Sequence, residues 1–557
     1  MPSLMELVER VNKGEMIDPE QLEVYQESSN SAEKFLAHHA HAMLELRHAQ
    51  QHMLQSLEAI DYSDQKVLNQ FVSVSGFLGQ TDLRCGPIVK FGSCAIARRE
   101  YALGVDAIQN AIAYDITHGG AYTADRENCS FVAQQYDRAA QCVGWAGPSS
   151  IDWNNKQTRI AYICSTICDD DATARTICGL AKHHDTKRCK LHVYSTECGV
   201  RRDRQVFAQT TYVPASGKRG ANTMEMLNKL KVPCFINATD GDVTACAKNL
   251  ADQLVKDRID VVIFDCAQSD PIACMIAQWE CCRAKINLCR RTPMYMSGVN
   301  CVSYVEQSRF DMDQDFWSRR GVDSRFMLEG MDLDMDMGPA PQRATYGIPE
   351  NAIVMATCGA DLDATICDEF CDTMINVLRA HPHAVYLLIG EGELASQKRK
   401  FESAGVGKRV GYAGKRKDLP GFLRIADLYL AEFPCSSATG VLQAMACERP
   451  VVAMRWGDAS GESQAAAFIG ADACISNRDT SAYIERVSKL IREGTTRAKL
   501  GKQMRARVEQ HFGYNQTAKH VEQLCEQVLQ ACSSTSGASM DQDDQSDEDS
   551  GPIAQVA

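Results

Sequence analysis

The chain has 557 residues, 45% hydrophobic and 24% charged, ordinary globular values that exclude a disordered or fibrous chain overall. At about 150 residues per domain this length predicts three or four domains, with cores large enough to need no disulfide or metal staple. The net charge is −13, and Asp541, Asp543, Asp544, Asp547, Glu548 and Asp549 share one tail, a balance that argues against a nucleic-acid partner.

The opening residues, MPSLMELVERVNKGE, have no basic end followed by an apolar block and do not read as a secretory signal. No apolar run anywhere reaches the ~18 residues of a membrane helix, so no transmembrane segment is expected. Residues 1–150 read as helices. In 32–60, Leu36, Ala40, Met43, Leu46, Met53, Leu57 and Ile60 recur close to helical spacing. The helical pattern returns over 98–113 and 128–142, on either side of a polar, Gly-containing break at 115–126. No strict period repeats. The expected role of this region is accessory: packing, oligomerisation or acceptor docking.

At Asn154-Asn155-Lys156 the pattern changes. RIAYICST (159–166) is a short apolar run, followed by an acidic turn, Asp169-Asp170-Asp171, and a helix-like stretch to His184. KLHVYS (190–195), a helix over 222–229, PCFIN (233–237), a helix over 243–257 and DVVIFD (260–265) follow. Strands alternating with helices predict a parallel sheet covered on both faces.

A second set begins after an acidic, Pro-containing connector at 332–342. AIVMAT (352–357) runs to Gly359, a helix is predicted over 368–380, and VYLLI (385–389) ends in Gly390-Glu391-Gly392. Strands at 408–413, 428–430 and 450–454 complete the series, with a helix over 440–447 between the last two. The predicted fold class is α/β. A helical region (1–150) precedes two tandem Rossmann-like domains (151–325 and 326–532), and a Ser-, Gly- and Asp-rich tail (533–557) reads as disordered.

Ligands of such sheets bind beyond the carboxyl ends of the strands, and two facing domains create a cleft. Gly359 and Gly390 allow backbone to approach a ligand, although either also fits a simple turn. The segment AEFPCSSATGVLQAMACERPVV (431–452) says more. A strand exits into a small, hydroxyl-rich loop and a helix begins near Ala438. Its unpaired N–H groups and positive dipole end suit a diphosphate. A plain N-cap by Ser437 or Thr439 is the alternative.

Metal sites are not expected. Cys164 and Cys168, like Cys367 and Cys371, lack a second pair or a histidine in zinc order. Asp332, Asp334 and Asp336 lack the glycine and closing glutamate of a calcium loop. The 25 cysteines suit a reducing cytoplasm, and most read as small buried hydrophobes.

The 431–452 block resembles the donor-binding signature of GT-B glycosyltransferases, in which a small-residue loop precedes a helix reading EAMACGxPVV. Gly330-Met331-Asp332 resembles the family's NGVD, and Arg343-Ala344-Thr345-Tyr346-Gly347-Ile348-Pro349 its R-x-x-x-G-I-P. The stretch 410–430, with Gly414 and Asp427-Leu428-Tyr429, resembles the strand–helix–D-L-Y-L region, and RAKLGKQMRARVEQHF (497–512) resembles the closing helices of family 4. These matches keep the family's order over 325–530. Family-4 enzymes carry Glu-x7-Glu where this chain has Cys435 and Gln443. Phe433-Pro434 before 436–440 is similar instead to O-GlcNAc transferases and the bacterial cytoplasmic N-glycosyltransferases, which also join helices to a GT-B core. The lysine that clamps the diphosphate in that group would fall near Ala364-Thr365 and is absent.

The resemblance implies a cytoplasmic hexosyl- or N-acetylhexosaminyl-transferase using a nucleotide sugar, a UDP-sugar by preference, without a metal. It places Gly359, Gly390 and Glu391 near base or ribose, Gln443 at the ribose, and Ser437, Thr439 and Gly440 on the diphosphate. Lys415 or Arg416 would supply the missing positive charge, unless they are plain surface residues. Asp171 is the positional match for a catalytic base and Asp265, ending VVIFD, the alternative. The implied acceptor is a protein or a glycan. A non-catalytic GT-B scaffold and a sugar-nucleotide 2-epimerase are the rival readings.

Overall fold

The computed structural model describes residues 2–13, 15–56, 62, 64–77, 84–117, 120–148, 150–153, 155–169, 172–198, 220–237, 242–267, 270–289, 295–305, 307–327, 330–333, 340–359, 362–416, 419–434, 436–456 and 464–538. Two parallel sheets organise it. The first comprises β1 (Thr158–Cys164), β2 (Cys189–Ser195), β3 (Cys234–Ile236), β4 (Val261–Asp265), β5 (Ala284–Cys289), β6 (Cys301–Tyr304) and β7 (Asp323–Phe326), in the order β3-β2-β1-β4-β5-β6-β7. The second comprises β8 (Ile353–Gly359), β9 (Ala384–Gly390), β10 (Val410–Gly414), β11 (Leu428–Leu430) and β12 (Val451–Val452), in the order β10-β9-β8-β11-β12. Every pairing is parallel. The fold is α/β with two Rossmann-like halves. In each sheet the strand order reverses beside the first strand, β1 or β8, which opens a crevice at the carboxyl ends there.

Central strands of such sheets are covered on both faces, hence their unbroken apolar runs. VVIFD of β4 is buried at all five positions. One face of the first sheet packs on the helices Cys85–Ala97, Tyr101–Thr117 and Arg126–Val143, together with Val243–Lys256 and Pro271–Gln278. The N-terminal helices over 85–143 therefore share one continuous core with this sheet. Residues 4–44 hold a small core of their own, built on Leu7, Leu22, Ala37, Ala40 and Leu44.

The opposite face packs on the helices Ala172–His183 and Ala221–Lys229 and on the last helix, Tyr514–Ala538. That helix is continuous past residue 532, where the sequence reading starts a disordered tail; 539–557 lie outside the described residues. It also leaves the second domain and returns to the first. Two crossings of the chain meet where it does so: the Met331 N–H donates to Phe512 O (2.8 Å) and the Tyr514 N–H to Met331 O (3.1 Å). A Cβ on Gly179 would lie 2.1 Å from the Tyr514 ring, so only glycine lets the two helices approach this closely.

Farther along, Glu522 is fixed in the same interface. Its Oε1 accepts from the Asp185 N–H at 2.8 Å and lies 2.9 Å from His184 Nδ1, and His184 Nε2 sits 3.0 Å from Tyr162 Oη. The His184 hydrogen bond first, and the Asp185 N–H after the opposing effect of burial, hold the Glu522 carboxyl below its ordinary range. A carboxylate held low stabilises the fold above its unfolded-state pKa, and that contribution is lost as pH falls through the folded value. Glu522→Gln is expected to destabilise by about 1–3 kcal/mol at pH 7 and to flatten the acid side of the stability profile. Thermal melts of both proteins across the acid range measure this; parallel profiles would remove the pair from the interface energetics.

Candidate functional site

The helix Ala438–Ala446 follows β11 after a connecting loop, and its first turn is set by three contacts. Ser437 is its N-cap, with Oγ accepting from the Gly440 N–H at 3.2 Å. The Ser437 N–H donates in turn to Glu432 Oε1 at 3.0 Å. A Cβ at Gly440 would lie 2.5 Å from Cys358 Sγ and 2.6 Å from Tyr429 Oη, so the missing side chain lets the helix start directly against β8 and β11.

Glu432 is the polar centre of this loop. Only 1% exposed, it lies beneath Gly359, and its Oε2 has no hydrogen-bond partner among the described residues. Burial pushes its carboxyl up to about 8, so it is protonated at neutral pH. The loops after β8 and β9 are tied as well. Gly359 and Gly390 are register partners, and Asp363 accepts from the Glu393 and Leu394 N–H groups, each at 2.8 Å.

Between the domains lies a cavity of about 390 Å³. Asp169, Arg175, Lys182 and Thr223 line it from the first domain, Thr439, Leu442 and Gln443 from the second. Gly330, Met331 and Asp332 of the hinge and Tyr514 complete the wall. Gln443 lines the wall, and its Oε1 is buried without a hydrogen-bond partner among the described residues. Lys182 Nζ reaches across to Asp332 Oδ2 at 2.8 Å, an interdomain pair. Asp169 is spent on the chain itself. It accepts from the Thr223 N–H (2.9 Å), the Asn222 N–H (3.3 Å) and Thr223 Oγ1 (3.1 Å), and the Thr223 N–H above all holds its carboxyl below the ordinary range.

The residues singled out from sequence divide into three groups. Thr439 and Gln443 line the cavity. Gly359, Gly390, Glu391, Ser437 and Gly440 surround the carboxyl ends of β8, β9 and β11, but the Gly440 N–H is already used by the Ser437 cap. Lys415 and Arg416 do not line the cavity. Lys415 pairs with Glu391 at 2.6 Å, both exposed, and the Arg416 guanidinium stacks 4.3 Å from the Phe422 ring centroid. Nor does Asp265 line it. Asp265 is 6% exposed and its Oδ1 lies 3.4 Å from Thr173 Oγ1, beneath the first turn of the helix Ala172–His183. Asp171 lies outside the described residues.

Sequence reasoning missed Glu432, Arg175, Lys182 and Tyr514. Arg175 and Lys182 had a signal: seven residues apart, they share one face of a predicted helix just after the acidic turn. The motif arginine has a structural task. Arg343 Nη2 donates to Asp427 Oδ2 (2.9 Å) and Ile425 O (2.8 Å), and Nη1 to Ala352 O (2.9 Å), which fastens the segment entering the second domain to its sheet.

Residues 357–493 match the family described as glycosyl transferases group 1. No curated protein sequence matches the chain. Among solved structures, a single-residue mutant of the Thermobaculum terrenum O-GlcNAc transferase superposes with a TM-score of 0.53 at 16% identity, over 96% of this chain and 100% of that one. A glycosyltransferase from Rickettsia africae superposes with a TM-score of 0.50 at 12% identity, over 67% of this chain and 99% of that one. Anabaena HepE in complex with UDP and glucose gives 0.47 at 12% identity, over 67% and 100%. The fold is the GT-B fold, here preceded by helices. Among the described residues no helix is long and apolar enough to cross a membrane.

A buried carboxyl held above its unfolded value weakens the fold as pH rises from the ordinary carboxylate range to the folded value. Glu432→Gln keeps the shape and the acceptor for Ser437 but cannot ionise. Relative to the wild type, the variant is expected to gain stability steadily up to about pH 8 and then level off. The gain is on the order of 4 kcal/mol. Melts at pH 5 and pH 9 check this, and an equal difference at both would place the carboxyl in a polar environment.

Proposed function

We propose that the chain is a glycosyltransferase that moves a hexosyl or N-acetylhexosaminyl group from a nucleotide-sugar donor to a protein or glycan acceptor. The observation that carries this reading is the interdomain cavity, which Thr439 and Gln443 of the donor-domain helix line opposite the first domain. The GT-B fold and the family match over 357–493 support it.

In this reading the second domain binds the nucleotide. Gly359, Gly390 and Glu391 lie near base or ribose, Gln443 accepts from a ribose hydroxyl, and the loop at 436–439 with Thr439 meets the diphosphate. A UDP-sugar is the first donor to test, and no step calls for a metal. The leaving diphosphate needs a cation to offset its developing charge. Arg175 and Lys182, on the cavity wall, suit that task better than Lys415 and Arg416, which are engaged away from it. Donor entry would then exchange the Lys182–Asp332 pair for a Lys182–phosphate contact.

For the base, Asp265 is enclosed under Thr173 and Asp169 is pinned by the Thr223 N–H, so Asp171 is the carboxylate we assign. It would take the proton of the acceptor as the sugar's anomeric carbon bonds to the acceptor atom and the nucleoside diphosphate leaves. The helices over 1–150 are assigned to acceptor docking or oligomerisation, and the setting to the cytoplasm.

The test is mass spectrometry of products after incubating purified protein with a panel of nucleotide sugars and cell extract. Sugar attached to an acceptor, or released to water, is expected from at least one donor. Thr439→Arg is expected to weaken nucleotide-diphosphate binding by more than about tenfold with the fold intact, since its bulk fills the cavity. Asp171→Asn is expected to keep donor binding while slowing transfer by about a hundredfold or more. Nucleotide binding with no turnover across the panel would favour a scaffold instead, and interconversion of the free sugar nucleotide a 2-epimerase.

A further inference from the structure

The long N-terminal helix Ser31–Ser56 carries an unusual edge. His38, His41, Glu45, His48 and His52 follow one another at alternating steps of three and four residues. At 3.6 residues per turn these five fall within about 80° of arc, one straight stripe along the helix. It runs beside the buried face formed by Ala37, Ala40 and Leu44 and is not part of it. His38, Glu45 and His52 are exposed, and His41 and His48 half-buried.

Within the stripe the imidazoles differ. His41 turns toward Glu45, its Nε2 3.8 Å from Oε1, while its Nδ1 is buried with no hydrogen-bond partner among the described residues. Binding an ion through Nε2 would force the proton onto that enclosed Nδ1, so His41 is a poor ligand. His48 and His52 carry no such penalty. They stand one turn apart, with Cβ atoms about 6 Å from each other by helix geometry. Two histidines four residues apart on one helix face can close on a single ion, and imidazole suits borderline divalent ions. The buried trio His184, Cys189 and Glu522 is the other ligand-like group, but its imidazole and carboxylate already hydrogen-bond each other, Tyr162 and the Asp185 N–H.

We propose that His48 and His52 chelate one divalent transition-metal ion, such as Zn²⁺, on the exposed edge of the N-terminal helix, apart from the interdomain cleft. Two imidazoles leave the rest of the coordination sphere to water, so the ion exchanges freely and does not hold the fold together. Carboxylate at Glu45, one turn earlier, adds negative potential beside it.

The experiment titrates the untagged, full-length, metal-stripped chain with Ni²⁺ by calorimetry, Ni²⁺ being chosen because it prefers imidazole. A binding step is expected that His48→Ala/His52→Ala weakens by about tenfold or more, with helicity unchanged because alanine favours helix. His39→Ala, on the opposite side of the helix, and Cys189→Ala, at the buried trio, are expected to leave that step unchanged. Equal Ni²⁺ affinity in the wild type and the double variant would overturn the proposal, as would no binding to either. Loss of the step in Cys189→Ala would do the same.

Discussion

The structure depends on one crossing. The chain passes from the first domain to the second through Gly330 and Met331 and comes back through Gly513 and Tyr514, and the two passes are hydrogen-bonded to each other. The returning helix then buries Val521, Cys525 and Val528 against the first sheet. Glu522 and His184 fix its rotation, and Gly179 sets its depth against Tyr514. With both passes held at one place, the carboxyl ends of the two sheets border a common cleft, and Tyr514 becomes part of its wall. A two-domain protein joined by one flexible connector would have no such fixed cavity, because interdomain contacts in general leave relative motion open.

Within the second domain the same economy applies to a single loop. Glu432 is buried, neutral and bonded to the Ser437 N–H, Ser437 caps the helix Ala438–Ala446, and Gly440 seats that helix against Cys358 and Tyr429. Thr439, Leu442 and Gln443 consequently project into the cleft from a rigid element. Among the described residues Gln443 Oε1 and Glu432 Oε2 are buried side-chain atoms without a hydrogen-bond partner, and Gln443 lines the cavity. A site built this way is pre-organised for binding before any ligand arrives.

Much of the fold was legible because parallel strands buried on both faces leave long apolar runs. The helix Asp368–Ala380 and the strand Leu428–Leu430 fall where the pattern puts them. β5 to β7 were not read. β5 carries Lys285 and Asn287 within a fully buried strand, and Lys285 is tolerated there because its Nζ donates to Ala277 O at 2.8 Å, a contact no local pattern shows. β7 is an edge strand with an exposed alternation and few apolar residues. The helix Cys85–Ala97 lies in the region read only broadly as helical, and its Gly92 permits close packing, since a Cβ there would lie 2.5 Å from Ile108 Cγ1. At the site, Thr439 and Gln443 were placed by the likeness of their segment to the donor-binding signature and both line the cavity, whereas Asp265 does not: strand position gave its height in the sheet, and only the tertiary structure shows that Thr173 covers it. The pairing of Lys415 with Glu391 joins two separate loops and is likewise invisible in one dimension.

The proposed function places a nucleotide sugar in the cleft between the sheets. Hydrogen–deuterium exchange of the full chain with and without saturating UDP-sugar tests it most directly, because each wall of the cleft reports separately. Slowed exchange is predicted together in the segment 436–443 and in the helix Ala172–His183, with the N-terminal helix Ser31–Ser56 unchanged. Slowed exchange confined to residues remote from both walls, with binding demonstrated in the same sample, would contradict it.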